Sequence, residues 1–184
     1  MAQLYHYTIG IKLDPIYATG ALLPSPGEGR ERGILWLSSN EGYEPSAAKA
    51  GASPGGQPRV LSLEEMMQHG GGVFRFVVDS DRPRLYEWPR LAERARLSRS
   101  VRGLLLRRAE ECGAHPRQWF GSLAAIAVDA LALQQRTPDG RWLDVRYEDV
   151  AQAARNPRVV SVRGSEAGVD IPRGQFRPTS TPSP

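Results

Sequence analysis

The chain contains few cysteines, lysines and histidines, and it has no long apolar run. A single cysteine, Cys112, excludes an internal disulfide and fits a reducing compartment, so we expect a cytoplasmic protein. The three histidines, His6, His69 and His115, are scattered and offer no metal-ligand spacing, so we expect no bound metal. No apolar stretch approaches the ~20 residues that cross a bilayer, and no leader pattern opens the chain, so we expect no membrane partner.

The composition is that of one globular domain with a small excess of basic over acidic residues. The 184 residues, 40% hydrophobic and 24% charged, favour a single domain with a full core. Only Lys12 and Lys49 are lysines, and the other 22 basic residues are arginines. This bias is typical of a GC-rich genome, although arginine also makes bidentate contacts with phosphate. Because the net charge is only +4, we interpret the arginines of residues 94–108 as an exposed helix face, with a nucleic-acid surface as the alternative.

The pattern of apolar and turn residues predicts an α+β domain. We expect a mixed or antiparallel sheet of about five or six strands with flanking helices. Strands are predicted at 3–8, 34–38, 73–78, 119–123, 130–135, 141–145 and 159–162, and helices at 61–67, 90–112, 147–154 and between a capping Asp14 and Gly20. Residues 40–58 are predicted to be a long loop. We assign one domain to 1–163 and a disordered tail to 164–184.

His6 stands in the middle of the first predicted strand, among residues that carry hydroxyl groups. Tyr5, Tyr7 and Thr8 are its neighbours. An imidazole at this place can hydrogen-bond a ribose hydroxyl without carrying a net charge. The alternative is an ordinary strand histidine with a structural partner.

Three small polar residues, Ser38, Ser39 and Asn40, end the second predicted strand. Serine and asparagine favour strand-ending turns, which is the structural interpretation. The functional interpretation is a polar rim beside a ligand. If the first two strands are neighbours, His6 and Ser38 can hold the ribose of a nucleotide from one face of the sheet.

Glu44 lies between Tyr43 and Pro45, and two roles fit it equally. A carboxylate that an aromatic ring partly desolvates can have a raised pKa or oppose a developing positive charge. A carboxylate just before Pro45 can also begin a helix, with the proline at the first helical position.

A later strand carries two further candidates. Trp119 begins it, and a tryptophan at a strand start usually belongs to the core. Ser122 follows Gly121, and the missing side chain of the glycine would let a ligand approach Ser122 closely.

The first 45 residues also resemble a known family. The stretches that carry the resemblance are Tyr5-His6-Tyr7-Thr8, the short helix that ends at Gly20 with Leu22 beyond it, and Ile34-Leu35-Trp36-Leu37-Ser38. They resemble the N-terminal half of the ADP-ribosyltransferase fold in its histidine-type branch. That branch includes diphtheria-toxin-like and PARP enzymes, RNA 2′-phosphotransferases and DarT-type DNA-modifying toxins. The resemblance implies that His6, with Thr8 beside it, contacts a ribose hydroxyl of NAD, and that the nicotinamide lies near Trp36 and Ser38.

The chain departs from the family at the late strand, where the family carries a glutamate that stabilises the oxocarbenium-like transition state. The strand that begins at Trp119 offers Ser122 there. Either Glu44 supplies the carboxylate, or Glu148 does, or the protein is not a standard transferase. We favour Glu44, because it follows directly on the candidate site, whereas Glu148 is expected on a polar helix face.

Two classes of function therefore stay open. The first is an NAD-dependent ADP-ribosyltransferase or NAD glycohydrolase that acts on a macromolecule or water, with nucleic acid as one candidate acceptor and a bacterial or phage toxin or defence factor as a candidate context. The second is a non-catalytic module on the same fold that binds a nucleotide or nucleic acid. The predicted catalytic residues are His6, Ser38 and Glu44, and the predicted NAD-binding residues are Tyr5, Tyr7, Thr8, Trp36, Ser39, Asn40, Trp119 and Ser122.

Overall fold

An antiparallel sheet forms the frame of the computed structural model, which describes residues 2–52 and 57–155. The strands in those residues are β1 (Gln3–Ile9), β2 (Ala21–Leu22), β3 (Leu35–Ser38), β4 (Ala50–Ala52), β5 (Pro58–Val60), β6 (Val73–Asp79), β7 (Leu85–Glu87), β8 (Trp119–Ser122), β9 (Ile126–Ala127), β10 (Ala132–Arg136) and β11 (Trp142–Val145). Seven of them form one sheet in the order β11-β10-β6-β1-β3-β8-β7, and every neighbouring pair is antiparallel. The pairs β2–β9 and β4–β5 stand apart from this sheet.

Helices cover both faces of the sheet. In the described residues they are α1 (Leu13–Thr19), α2 (Leu63–His69), α3 (Arg90–Arg94), α4 (Arg99–Cys112) and α5 (Tyr147–Arg155), and three short 3-10 turns span Gly10–Lys12, Pro45–Ala47 and Pro116–Gln118. This is the mixed α+β class that the sequence predicts. None of the helices in 2–52 and 57–155 is both long and apolar enough to cross a bilayer.

Strand β6 shows why the central strands are buried on both faces. Phe74, Phe76 and Val78 are fully buried in the main core, and each phenylalanine contributes about 2 kcal/mol through the apolar surface it removes from water. Successive strand residues point to opposite faces, so Arg75 lies on the other side, as predicted, and it too is buried.

Helix ends follow local sequence signals in two places. Ser62 caps α2 by accepting from the backbone N–H of Glu65, whose carboxylate accepts in return from the Ser62 N–H, as its spacing predicts. Gly20 ends α1 in the left-handed conformation with φ +68°. Asp14, however, does not cap α1, because the 3-10 turn leads directly into a helix that already begins at Leu13.

The helix predicted at 90–112 is wrong as a single element. It divides into α3 and α4 because Arg96 adopts a positive φ of 58° and Leu97 turns into the core. Ser98 then starts α4 by accepting from the backbone N–H of Val101.

Two other predictions also need correction. Residues 40–58 are not one long loop, since they contain the Pro45–Ala47 turn and strand β4, and β5 begins at Pro58. The main sheet has seven strands in the described residues rather than five or six, because the short strand β7 adds to its edge. The predicted strand at 159–162 and the tail at 164–184 lie outside the described residues.

The sheet is weakly joined in its middle. Strand β1 pairs with β6 along all seven of its residues, from Gln3 to Ile9. On its other side β1 pairs with β3 only through Tyr5 and Ser38. The two strands then part, which leaves one half of the sheet made of β11, β10, β6 and β1 and another made of β3, β8 and β7.

Candidate functional site

The side chains of His6 and Lys49 occupy the split between β1 and β3, where the two halves of the sheet meet. Continuing the register of Tyr5 with Ser38 would bring Tyr7 opposite Trp36, but the structure does not pair them. The carbonyl oxygen of Trp36 lies 2.9 Å from Nδ1 of His6. The carbonyl oxygen of Tyr7 accepts from Nζ of Lys49 at 3.1 Å. His6 and Lys49 thus satisfy backbone acceptors that a closed sheet would have paired.

The environment of His6 fixes its protonation. Burial, with a smaller contribution from the nearby charge of Lys49, lowers its pKa from 6.5 to about 4, although the bond to the Trp36 carbonyl acts in the opposite direction. The ring is therefore neutral at neutral pH. Because a carbonyl oxygen only accepts, Nδ1 carries the proton, and Nε2 is left as an acceptor.

Glu44 is a buried carboxylate, with only 4% of its surface exposed. Its Oε2 accepts from Ser38 Oγ at 2.7 Å. Its Oε1 accepts from Ser46 Oγ at 2.6 Å, from the Ser46 N–H at 3.2 Å and from Trp119 Nε1 at 3.3 Å. All four donors are neutral, and Glu44 forms no ion pair within the described part of the chain. These hydrogen bonds hold the carboxylate in one orientation.

The predicted helix-start role of Glu44 is also present. Glu44 is the capping residue of the Pro45–Ala47 turn, with Pro45 at the first position. The capping contact and the contacts with Ser38 and Trp119 use the same carboxylate. The structure therefore combines a local structural role with a long-range one across two strands.

Side chains from the opposite half of the sheet hold the loop that carries Glu44. Arg75 donates to the backbone carbonyl of Glu41, and Trp142 Nε1 donates to that of Gly42 at 2.8 Å. The Arg75 guanidinium lies 3.9 Å from the ring centroid of Tyr5 and 4.3 Å from that of Trp142. These contacts tie the loop to β6 and β11, so the position of Glu44 depends on both halves.

A cleft of about 510 Å³ opens at the split. Polar residues with distinct roles line it, namely His6, Ser38, Glu44, Lys49 and Arg108. Trp36 and Trp119 add an aromatic wall, with ring centroids 5.9 Å apart in an edge-to-face arrangement. Volumes of roughly 300–1,000 Å³ are usual for small-molecule sites.

His6 and Glu44 reach this cleft from different faces of the pleat. His6 is in register with Phe76, whereas Ser38, the partner of Glu44, is in register with Tyr5, one residue before His6. Because successive strand residues point to opposite faces, the prediction that His6 and Ser38 act from one face of the sheet is wrong. Both residues nevertheless line the cleft, which lies where the pairing of β1 with β3 ends.

The predicted NAD-binding residues divide into two sets. The first set lines the cleft and consists of Tyr5, Tyr7, Trp36 and Trp119. The second set does not belong to the lining that the described residues form, and it consists of Thr8, Ser39, Asn40 and Ser122. Burial raises the pKa of Tyr7 to about 12, so its hydroxyl stays protonated, and it donates to the carbonyl of Asn40.

Structural contacts account for the residues outside the lining, and in Ser39 the contact is the backbone N–H, which donates to the carbonyl of Gln118 at 2.9 Å. Thr8 is buried in register with Phe74. Asn40 closes its own turn by accepting from the Gly42 N–H at 3.0 Å. Ser122 is buried, donates to the carbonyl of Ala124 at 2.9 Å and accepts from its N–H.

The alternative carboxylate, Glu148, lies away from the cleft. It occupies the first turn of α5, its side chain is 67% exposed, and it pairs with Arg146 at 3.5 Å. This exposed position matches the polar helix face expected for it.

Sequence reasoning missed four residues that shape the site: Ser46, Lys49, Arg75 and Arg108. The stronger signal in the sequence was Arg75, an arginine within an apolar strand, because burying an arginine is costly unless it has partners. Lys49 carried a weaker signal, since it is one of two lysines among 24 basic residues.

No group of three or more His, Cys, Asp or Glu residues that could hold a metal ion occurs in residues 2–52 and 57–155. Comparison of the chain with protein-family models, with curated proteins and with solved structures finds no match. The functional argument therefore depends on the chemistry of the cleft.

Proposed function

We propose that the protein is an NAD-dependent ADP-ribosyltransferase or NAD glycohydrolase that holds the nicotinamide ribose between His6 and Glu44. The observation that carries the proposal is the presence, in one cleft, of a neutral histidine acceptor and a buried carboxylate that neutral donors orient. The resemblance of the first 45 residues to ADP-ribosyltransferases supports the choice of NAD.

The two residues have different tasks in this proposal. Nε2 of His6 accepts a hydrogen bond from a ribose hydroxyl and so fixes the sugar in the cleft. Oε2 of Glu44 accepts from Ser38 and keeps a second lone pair for the ribose. The charge of Glu44 opposes the positive charge that develops on the sugar, and it acts strongly because no cation pairs with Glu44 among the described residues.

The reaction breaks the bond between C1′ of the ribose and the ring nitrogen of nicotinamide. The electron pair of that bond leaves with nicotinamide and neutralises its pyridinium charge. A nucleophile, either water or a group on a macromolecule, then forms a bond to C1′ and releases its proton to solvent. Nucleic acid is one candidate acceptor, and a bacterial or phage toxin or defence factor is a candidate context.

A specific observation favours a second function, in which the protein binds a nucleotide and catalyses no reaction. Strand β8 ends at Gly121 and Ser122 and carries no carboxylate, and Ser122 is bonded to Ala124. A protein of this kind would bind NAD in the same cleft and leave the glycosidic bond intact.

Two measurements on the purified protein separate these functions: calorimetric titration with NAD, and the amount of free nicotinamide after incubation with NAD. The variant His6→Asn keeps a donor near the Trp36 carbonyl and removes the Nε2 acceptor. His115→Asn is a matched control, because His115 is exposed and outside the cleft lining.

Nicotinamide release by the wild type and by His115→Asn, with a large loss in His6→Asn, supports the enzyme. NAD binding without release supports the binding module. Absence of both binding and release contradicts both functions.

A further inference from the structure

We infer that Lys49 and Arg108 form a subsite of the cleft that binds the diphosphate of a nucleotide. The inference takes its ligand from the proposed function, since NAD carries a diphosphate between its two ribose units. It assigns a task to the two cations of the cleft lining that the proposed chemistry does not use.

Lys49 lies in the split between β1 and β3, and its ammonium group has N–H donors left to bind an anion. Its Nζ donates to the Tyr7 carbonyl, and an ammonium group has three N–H donors. Lys49 forms no ion pair within the described residues. Burial and the nearby Lys12 lower its pKa, so its charged form lacks full compensation. An anion in the cleft would supply that compensation.

Arg108 reaches the same cleft from helix α4. Leu105, Arg108 and Cys112 recur at helical spacing and line the cleft, whereas Arg107 does not. Helix α4 packs along the Pro45–Ala47 turn, which immediately precedes the segment of Lys49. Arg108 is exposed and forms no ion pair in the described part of the chain, so its guanidinium can make the planar contacts with phosphate that suit it.

The two carboxylates of the lining limit where an anion can bind. Glu44 accepts hydrogen bonds from Ser38, Ser46 and Trp119, and its carboxylate would repel a phosphate placed beside it. Glu111 lies one turn beyond Arg108 on α4 and also lines the cleft. In this arrangement the dianionic diphosphate binds at Lys49 and Arg108, and the nicotinamide ribose, which bears the positively charged pyridinium ring, binds beside Glu44.

Calorimetric titration of the full chain with ADP tests this subsite, because ADP carries the diphosphate and lacks nicotinamide. We expect Lys49→Gln and Arg108→Gln each to weaken ADP binding by about tenfold or more, as for loss of a charge-assisted contact. Lys49→Arg should restore most of the affinity. Arg107→Gln, a loss of the same charge one residue away, should leave it unchanged.

The remaining outcomes separate the inference from the proposed function. If the wild type does not bind ADP, or if Lys49→Gln and Arg108→Gln bind it as tightly as the wild type, the inference is wrong. Release of nicotinamide from NAD with unchanged ADP affinity in both variants overturns the subsite and leaves the enzyme. ADP binding that depends on both residues, without nicotinamide release, supports the subsite and contradicts the enzyme.

Discussion

Acidification should destabilise the fold through the protonation of His6. The folded protein holds the pKa of His6 at about 4, against an ordinary value of 6.5. The unfolded chain therefore binds a proton at a higher pH than the folded chain does. The stability that neutral His6 contributes is present above about pH 6.5, and it is lost as the pH falls from there towards about 4.

The two pKa values set the size of the effect. Between about pH 7.5 and about pH 5, linkage gives a loss of about 2 kcal/mol in the free energy of unfolding from His6 alone. The structural cause is the burial of the ring in the split, with a smaller contribution from the charge of Lys49, and it outweighs the opposing effect of the bond to the Trp36 carbonyl.

Urea unfolding at the two pH values, followed by tryptophan fluorescence, measures this loss. The variant His6→Asn should lose about 2 kcal/mol less than the wild type on acidification, because asparagine does not titrate in this range. His115→Asn, which changes an exposed histidine, should lose as much as the wild type. An equal loss in His6→Asn and the wild type would refute the reasoning.

Two further predictions concern packing and helix capping. Gly121→Ala should destabilise the protein by about 2 kcal/mol, because the new Cβ would lie 2.7 Å from the Leu35 carbonyl oxygen. The control Gly42→Ala, whose Cβ would have no neighbour closer than 3.5 Å, should change the stability by less than about 0.5 kcal/mol. Equal urea midpoints for the two variants would contradict the prediction. Ser62→Ala should cost about 1 kcal/mol through the loss of the cap at the Glu65 N–H, and an unchanged urea midpoint would show that the cap does not matter.

Elements with strong local signals could be predicted from the sequence. The alternation of Phe74 and Phe76 around Arg75 marks a strand, and the spacing of Ser62 and Glu65 marks a helix start. Each signal is contained within a few neighbouring residues, so long-range contacts are not needed to read it.

Other features depend on contacts between distant segments. Arg96 breaks the predicted long helix with a positive φ, although that conformation is typical of glycine and an arginine gives no warning of it. The short edge strand β7 has too few residues to show a period. Its pairing with β8 exists only once the sheet has formed.

Part of the candidate site could likewise be predicted from the sequence, and part of it could not. His6 and Glu44 could be selected because their chemistry is unusual for their surroundings in the sequence. The split between β1 and β3, which brings both to one cleft, could not be predicted, because it depends on where two strands separated by 25 residues stop pairing. Lys49 and Arg108 have a place at the cleft only through that geometry.

The most direct test of the proposed chemistry is the rate of nicotinamide release at saturating NAD for the wild type, Glu44→Gln and Glu148→Gln. The amide keeps the shape of Glu44 and removes the charge that opposes the developing positive charge on the ribose. We expect kcat to fall about a hundredfold, equivalent to ~3 kcal/mol, in Glu44→Gln with KM for NAD nearly unchanged. Glu148→Gln, at an exposed position on α5, should match the wild type. Full activity in Glu44→Gln, or its loss in Glu148→Gln, would contradict the role of Glu44.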